Sequence, residues 1–223
     1  MRKVPLANDK IYHIYNRSIA KYQIFNDPAD YLRMLEVLEL FKFTDFKQSY
    51  SSFTKLTNEL QYDIKGKLIK SSDKLVEIIA YCLMPTHFHL ILKQVADNGI
   101  TTFMARVQNS YSRYFNQRHR RKGPLWEGHF NNTSIDTDEL ILHITRYLHI
   151  NAVTAKIVDR PEDWPYSSYF EYIDSRNAKI KMCHFKDILD IEPKKYKRFV
   201  NNQIGYQREL SKIKHLLIED YSG

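Results

Sequence analysis

Cysteine, glycine and proline are all scarce in this chain: of 223 residues, two are cysteine, six glycine and seven proline. Cys82 and Cys183 lie about a hundred residues apart with no CxxC spacing, which excludes a disulfide framework and a structural zinc knuckle and reads as two reduced thiols. The low glycine and proline content points to a compact fold. No window approaches the roughly 18 consecutive apolar residues of a spanning helix, and Met1 to Leu6 has no signal-peptide apolar stretch, so the expectation is a cytoplasmic protein with no membrane partner. Acidic residues are outnumbered, 26 against 34 Lys and Arg, and the net charge of +8 favours a polyanionic partner. Hydrophobic residues make up 43% and charged residues 27%, enough to bury a core, which excludes wholesale disorder. Tyrosine is abundant at 16 residues, so any tyrosine with a chemical role has to be singled out by context.

Ile11 to Asn16 is rich in aromatic and branched residues and reads as a strand. Asp27-Pro28 supplies an N-cap with proline at the first helical position, and Leu32, Leu35, Leu38 and Phe41 then recur every three residues, which predicts a helix. Residues 46–74 lose this patterning and read as an inserted loop with a short hairpin near Gly66. Val76–Met84 and His87–Leu92 flank Pro85-Thr86 as two near-continuous apolar runs, predicting central strands joined by a tight turn. Asn98 to about Lys122 carries an apolar stripe from Ile100 to Tyr114 and predicts a long helix ending before Gly123-Pro124. A strand is expected over Leu125–Phe130. A helix capped by Thr137 should then run to about Ala155, with Leu140, Ile144, Tyr147 and Leu148 on one face.

This order is β-α-β-β-α-β plus a further helix, the ferredoxin-like split β-α-β class of α+β fold with an antiparallel sheet. The expected organisation is one domain over 1–172, interrupted by the insertion at 46–74, and a basic helical extension over 173–223 that includes Lys194 to Arg198.

His87 and His89 are separated by one residue on a strand, so both imidazoles emerge on the same face, where they can share a metal or simply be two polar residues of a half-exposed strand. Ile91 stands where a third alternating histidine would be needed for a histidine-triad hydrolase, which disfavours that class. A metal needs more ligands, and phosphodiester chemistry needs a nucleophile, which tyrosine can be. On a helix a ligand at i+4 shares the nucleophile's face. Only Tyr12, Tyr22 and Tyr147 have an Asn or Gln at that spacing, namely Asn16, Asn26 and Asn151. The first lies on a strand and the second before a helix cap, leaving Tyr147 with Asn151. The same tyrosine also fits as one member of the apolar stripe.

Five ordered blocks carry a resemblance. Tyr12-His13-Ile14-Tyr15-Asn16-Arg17, Ile24-Phe25 with Asp30-Tyr31, Ala80 to Leu92, Gly123 to Phe130 and Arg146-Tyr147-Leu148-His149-Ile150-Asn151 are similar to the single-tyrosine HUH transposases, in particular the REP-associated tyrosine transposases. The similarity runs from about residue 10 to 172 and includes Trp164 to Tyr169, with Ser18 and Ala152 as departures where relatives often carry Gly and Pro. The resemblance implies that His87 and His89 are metal ligands, Asn151 the polar third ligand and Tyr147 the nucleophile. It implies a divalent ion, Mg²⁺ or Mn²⁺, and single-stranded DNA nicking and strand transfer through a 5′-phosphotyrosine at hairpin or palindromic elements, by a monomer or homodimer.

Arg113, Arg118, His119, Arg120, Arg121 and Lys122 cluster at the end of the second long helix, where cations suit phosphates but also the negative helix terminus. Together with Arg17 and Arg146 from the resemblance blocks, Arg113, Arg118, Arg120, Arg121 and Lys122 are the candidate DNA contacts. Two competing functions remain open from sequence: a non-catalytic binder of structured nucleic acid on the same scaffold, and a HUH replication initiator or relaxase.

Overall fold

The computed structural model describes residues 5–71, 73–174, 178 and 180–204, so the last part of the expected C-terminal extension lies outside the described residues. Four strands form one antiparallel sheet: β1 (Ile11–Arg17), β2 (Val76–Met84), β3 (His87–Gln94) and β4 (Asn131–Ile135), in the order β2-β3-β1-β4. The ferredoxin-like α+β expectation holds. Helices α1 (Pro28–Phe41) and α4 (Gly99–Arg118) lie between strands in the chain and pack on one another. The even-numbered side of β3 faces them, with Phe88 against Trp126 and Trp126 against Tyr111 of α4. On the opposite side lies α5 (Asp138–Thr154), whose Tyr147 ring stands edge-on to His89. Hydrophobic burial on both sides explains why β2 and β3 read as near-continuous apolar runs.

Local chemistry sets the ends of these helices. The Asp27 side chain accepts from the amides of Ala29 and Asp30 at the start of α1, and Thr137 accepts from Leu140 N–H at the start of α5. At the start of α4 the backbone of Gly99 approaches Leu75 so closely that a Cβ there would sit 2.0 Å from the Leu75 carbonyl oxygen. Only glycine allows this helix to begin against the strand entry. The Gln94 side chain reinforces the junction by accepting from Ile100 N–H at 3.2 Å.

Four sequence expectations need correction. Residues 46–74 contain two helices, α2 (Tyr50–Phe53) and α3 (Asn58–Ser71), and no hairpin; α3 buries Leu68 alone, which leaves no apolar stripe to read. The last strand is Asn131–Ile135, not Leu125–Phe130. That stretch joins the sheet's backbone ladder through one isolated bridge, Ser18 to Trp126, and its Trp126 packs between Phe88 of β3 and Tyr111 of α4, while β4 itself is polar and edge-exposed. In α1 a strict spacing of three drifts about 60° per step around the helix. Leu32 is therefore 37% exposed, and Tyr31, Met34, Leu35, Val37, Leu38 and Phe41 form the buried face. In α5 the core positions include Ile141, Thr145, Leu148, His149 and Ala152, whereas Leu140 and Tyr147, at 41% and 38% exposed, are not core.

The chain beyond α5 continues through α6 (Tyr169–Ile173) and α7 (Pro193–Asn201). Tyr196 of α7 is buried and bonds His149 of α5, its hydroxyl 2.7 Å from Nδ1, while Nε2 lies 2.7 Å from Ser168 Oγ. Ser168 Oγ is also 3.3 Å from the Tyr81 carbonyl and accepts from Tyr81 N–H at 3.0 Å. All of these groups are satisfied if Tyr196 donates to Nδ1, Nε2–H donates to Ser168, and Ser168 donates to Tyr81, so His149 is neutral. Burial holds its pKa down at about 3.

That depression makes the His149 contribution to stability complete above the unfolded-state value near 6.5 and progressively lost as pH falls below it, because only the unfolded chain takes up the proton. Between pH 7 and 5 this residue should cost about 2 kcal/mol of unfolding free energy. His149→Gln should be less stable at pH 7 but lose correspondingly less on acidification. Urea unfolding at the two pH values measures the difference; equal losses in both proteins would contradict it.

Candidate active site

The pairing register assembles the site. Tyr15 lies opposite His89 and Arg17 opposite His87 across β1 and β3, and Tyr15 also lies opposite Asn131 of β4. Paired residues share a face, so His13, Tyr15 and Arg17 join His87 and His89 on the side that α5 covers. The two histidine rings are 5.1 Å apart and mutually perpendicular, and the Tyr147 ring is 5.8 Å from that of His89. Tyr147 is 38% exposed although its neighbours on α5 are core. The ring is thus next to the His89 imidazole and partly open to solvent.

Each imidazole has one nitrogen engaged. His87 Nδ1 is 3.0 Å from Thr86 Oγ1, and His89 Nδ1 is 2.9 Å from His13 Nε2. Both Nε2 atoms remain for another partner. Burial lowers the His87 pKa to about 4, with the Arg17 charge adding to the effect. Burial, then His87 and His13, hold His89 well below its usual value. Both rings are therefore neutral near pH 7, the form in which imidazole ligates metal.

The Tyr147 phenol is shifted the other way: burial raises its pKa above 10, Cys82 adds to this, and the Asn151 side chain opposes it. Unaided, this phenol is a poorer nucleophile than free tyrosine. Asn151, one turn further along α5, is buried; its side chain lies close enough to the Tyr147 phenol to lower its pKa, but its Nδ2 completes no well-formed hydrogen bond. A buried amide without a partner costs about 1–3 kcal/mol unless something else meets it. Among the described residues no three His, Cys, Asp or Glu side chains form a metal cluster; the candidate donor set is the two imidazoles with the Asn151 amide, which lies one helical turn from Tyr147. It fits a divalent ion of borderline character.

Beside His87 opens a cavity of about 280 Å³ lined by Tyr15, Asn16, Arg17, His87, Glu127 and Asn131. Arg17 is held there by a two-pronged ion pair with Glu127, one arm at 2.9 Å from Nη2 to Oε1. Asn16 reaches across to donate to the Gly128 carbonyl at 3.0 Å. Glu127 and Gly128 thus anchor the segment between α4 and β4 to the rim of the site.

The basic residues separate into two groups. Arg118 is tied to Asp27 at 2.6 Å and to buried Asp30 at 3.1 Å, pinning α4 to the start of α1. Arg121 donates to the Asn116 side chain and the Pro124 carbonyl. Arg146 is 9% exposed, stacks over Phe199 at 4.1 Å and donates toward His143, away from the imidazoles. As folded, these three serve internal contacts. Arg113, Arg120 and Lys122 are solvent-exposed. The residues that sequence reading passed over are His13, Thr86 and Glu127; alternation with Tyr15 and Arg17 along β1 is the signal that would have drawn attention to His13.

Residues 44–151, from the end of α1 through Asn151, match the family model described as IS200-like transposase. The match takes in 108 of the 223 residues. A Haemophilus influenzae protein named among the REP-associated tyrosine transposases is 30% identical over 105 residues, 42% of this chain. The chain spans 58% of that relative's length. The fold of this chain matches that of a REP-associated tyrosine transposase solved bound to a REP hairpin, with a TM-score of 0.53 over 86% of this chain and 95% of the other, at 15% identity. Among the described residues no helix is long and apolar enough to cross a membrane.

Proposed function

We propose that this chain is an IS200-like transposase that nicks and transfers single-stranded DNA through a covalent bond to Tyr147, at a hairpin or palindromic element, with a divalent cation held by His87, His89 and Asn151. The observation that carries the reading is the meeting, on one face of the sheet, of two neutral imidazoles with a partly exposed tyrosine that has a buried amide one helical turn away. The relative named for tyrosine transposases and the hairpin-bound structural neighbour agree with it.

A bound Mg²⁺ or Mn²⁺ would supply a positive charge that polarises a phosphodiester oxygen and eases loss of the phenolic proton. Everything else falls to the chain. Tyr147 Oη attacks phosphorus as its proton departs. The P–O3′ bond breaks, the 3′ oxygen takes up a proton, and a 5′-phosphotyrosine remains. Attack by a 3′-hydroxyl on that phosphotyrosine reverses the step, forming a P–O3′ bond and returning the proton to Tyr147, so phosphodiester energy is conserved through the covalent link. The cavity between Tyr15, Arg17 and Asn131 is large enough for an unpaired nucleotide next to the reacting phosphate. Exposed Arg113, Arg120 and Lys122 add salt-dependent attraction for the strand.

Incubation with labelled hairpin oligonucleotides from the protein's genomic flanks and Mn²⁺ should give a protein–DNA adduct that survives denaturing electrophoresis. Chelation with EDTA and the substitution His89→Ala should each reduce it by about 100-fold or more. Binding of the hairpin with no adduct under any metal would favour a non-catalytic binder on the same scaffold.

A further inference from the structure

We propose that His13 is a positioning residue, which accepts a hydrogen bond from His89 Nδ1–H and thereby fixes the tautomer that presents His89 Nε2 to the cation; this rests on the metal-site reading above. A neutral imidazole carries its proton on one nitrogen or the other, and only the unprotonated one can ligate. His89 Nδ1 and His13 Nε2 are 2.9 Å apart, and the two rings stack with centroids at 5.1 Å and an angle of 22°. The pair is held by the sheet itself. His13 lies on β1, where its neighbour Tyr15 is the residue directly opposite His89, so the two imidazoles meet on the diagonal of the β1–β3 ladder. Tyr15 closes the other side, its ring 5.1 Å from His13 and 5.9 Å from His89.

The second ligand shows the same arrangement by a different means, since Thr86 Oγ1 stands 3.0 Å from His87 Nδ1. In both cases the Nδ1 side faces a protein partner and leaves Nε2 free. Outer partners of this kind orient metal-bound imidazoles and raise their basicity, and their loss typically weakens metal binding 10–100-fold. His13 is not a third ligand in this scheme, because the nitrogen it offers is spent on His89.

The test uses the full-length protein with and without metal. Long-range ¹⁵N–¹H spectra of metal-free wild type should show His89 as the Nδ1–H tautomer. His13→Gln, whose side-chain oxygen replaces the acceptor, should keep that tautomer and hold Mn²⁺ affinity within about threefold, whereas His13→Leu should give mixed tautomers and Mn²⁺ binding weaker by about 10–100-fold. Thermal unfolding of both variants separates this from a loss of fold. An Nε2–H tautomer in wild type, or a His13→Leu protein with unchanged tautomer and affinity, would overturn the proposal. If the tautomer responds as expected but wild type binds no Mn²⁺, the orientation by His13 stands and the metal reading falls.

Discussion

Tyr147→Phe should abolish the covalent protein–DNA adduct, with a drop in strand cleavage of about 10⁴-fold or more, the scale seen when a nucleophile is removed from an otherwise intact site. The substitution deletes one oxygen from a side chain that is 38% exposed and outside the core, so the fold and hairpin affinity should be unchanged. This separation is what makes the measurement decisive. Tyr15, also exposed and 5.9 Å from the His89 ring, is the natural control, because it shares the face but has no amide one helical turn away. Adduct formed by Tyr147→Phe but not by Tyr15→Phe would transfer the nucleophile to Tyr15. Because burial holds the Tyr147 phenol above its usual pKa, wild-type cleavage without divalent metal should be negligible at neutral pH and rise only under alkaline conditions.

Gly99→Ala is expected to have the largest effect on stability of any single methyl addition among the glycines described. The added Cβ would lie 2.0 Å from the carbonyl oxygen of Leu75 and 2.9 Å from its carbonyl carbon, both backbone atoms that cannot swing aside. Relief requires moving the start of α4 or the entry to β2, either of which strains the core around Ile100 and Val76. The cost should be about 3 kcal/mol or more, at or above the upper end of overpacking penalties. Gly66→Ala provides the contrast: nothing lies within 4 Å of its Cβ position, it sits inside α3, and the change should stabilise by about 0.5–1 kcal/mol. Chemical denaturation of the two variants beside wild type measures both; a Gly99→Ala protein as stable as wild type would mean that the helix start is not fixed by this contact.

What could be read in advance follows the physics of each element. The β2–β3 hairpin and α4 were legible because they bury wide apolar surfaces with a clean period. That His87 and His89 share a face, and that Tyr147 and Asn151 lie one turn apart on one helix, were legible because period 2 on a strand and i+4 on a helix are local geometry. β4 was misplaced because its stability comes from ladder hydrogen bonds to β1, which leave no mark on the polar sequence Asn131 to Ile135. α3 was hidden for a related reason: a helix that buries one leucine has no stripe. The duties of the cations lay out of reach, since charge says nothing of partners. Asp27 and Asp30, far away in the chain, claim Arg118, and the Phe199 ring claims Arg146.

The β2–β3 hairpin carries a bulge at one end only, where Ile79 slips out of register between the Ile78–Leu92 and Ala80–Ile91 pairs. At its other end the turn is Pro85-Thr86, with His87 opening the very next strand. Insertions and deletions should therefore be tolerated very unevenly along this hairpin. A residue gained or lost near the bulge meets a place where the ladder already absorbs an odd count. One gained or lost between His87 and His89 would place the two imidazoles on opposite sides of the sheet. The hairpin can thus lengthen at its open end and keep the site, whereas the stretch from Thr86 to His89 has to keep its length for the two imidazoles to share a face.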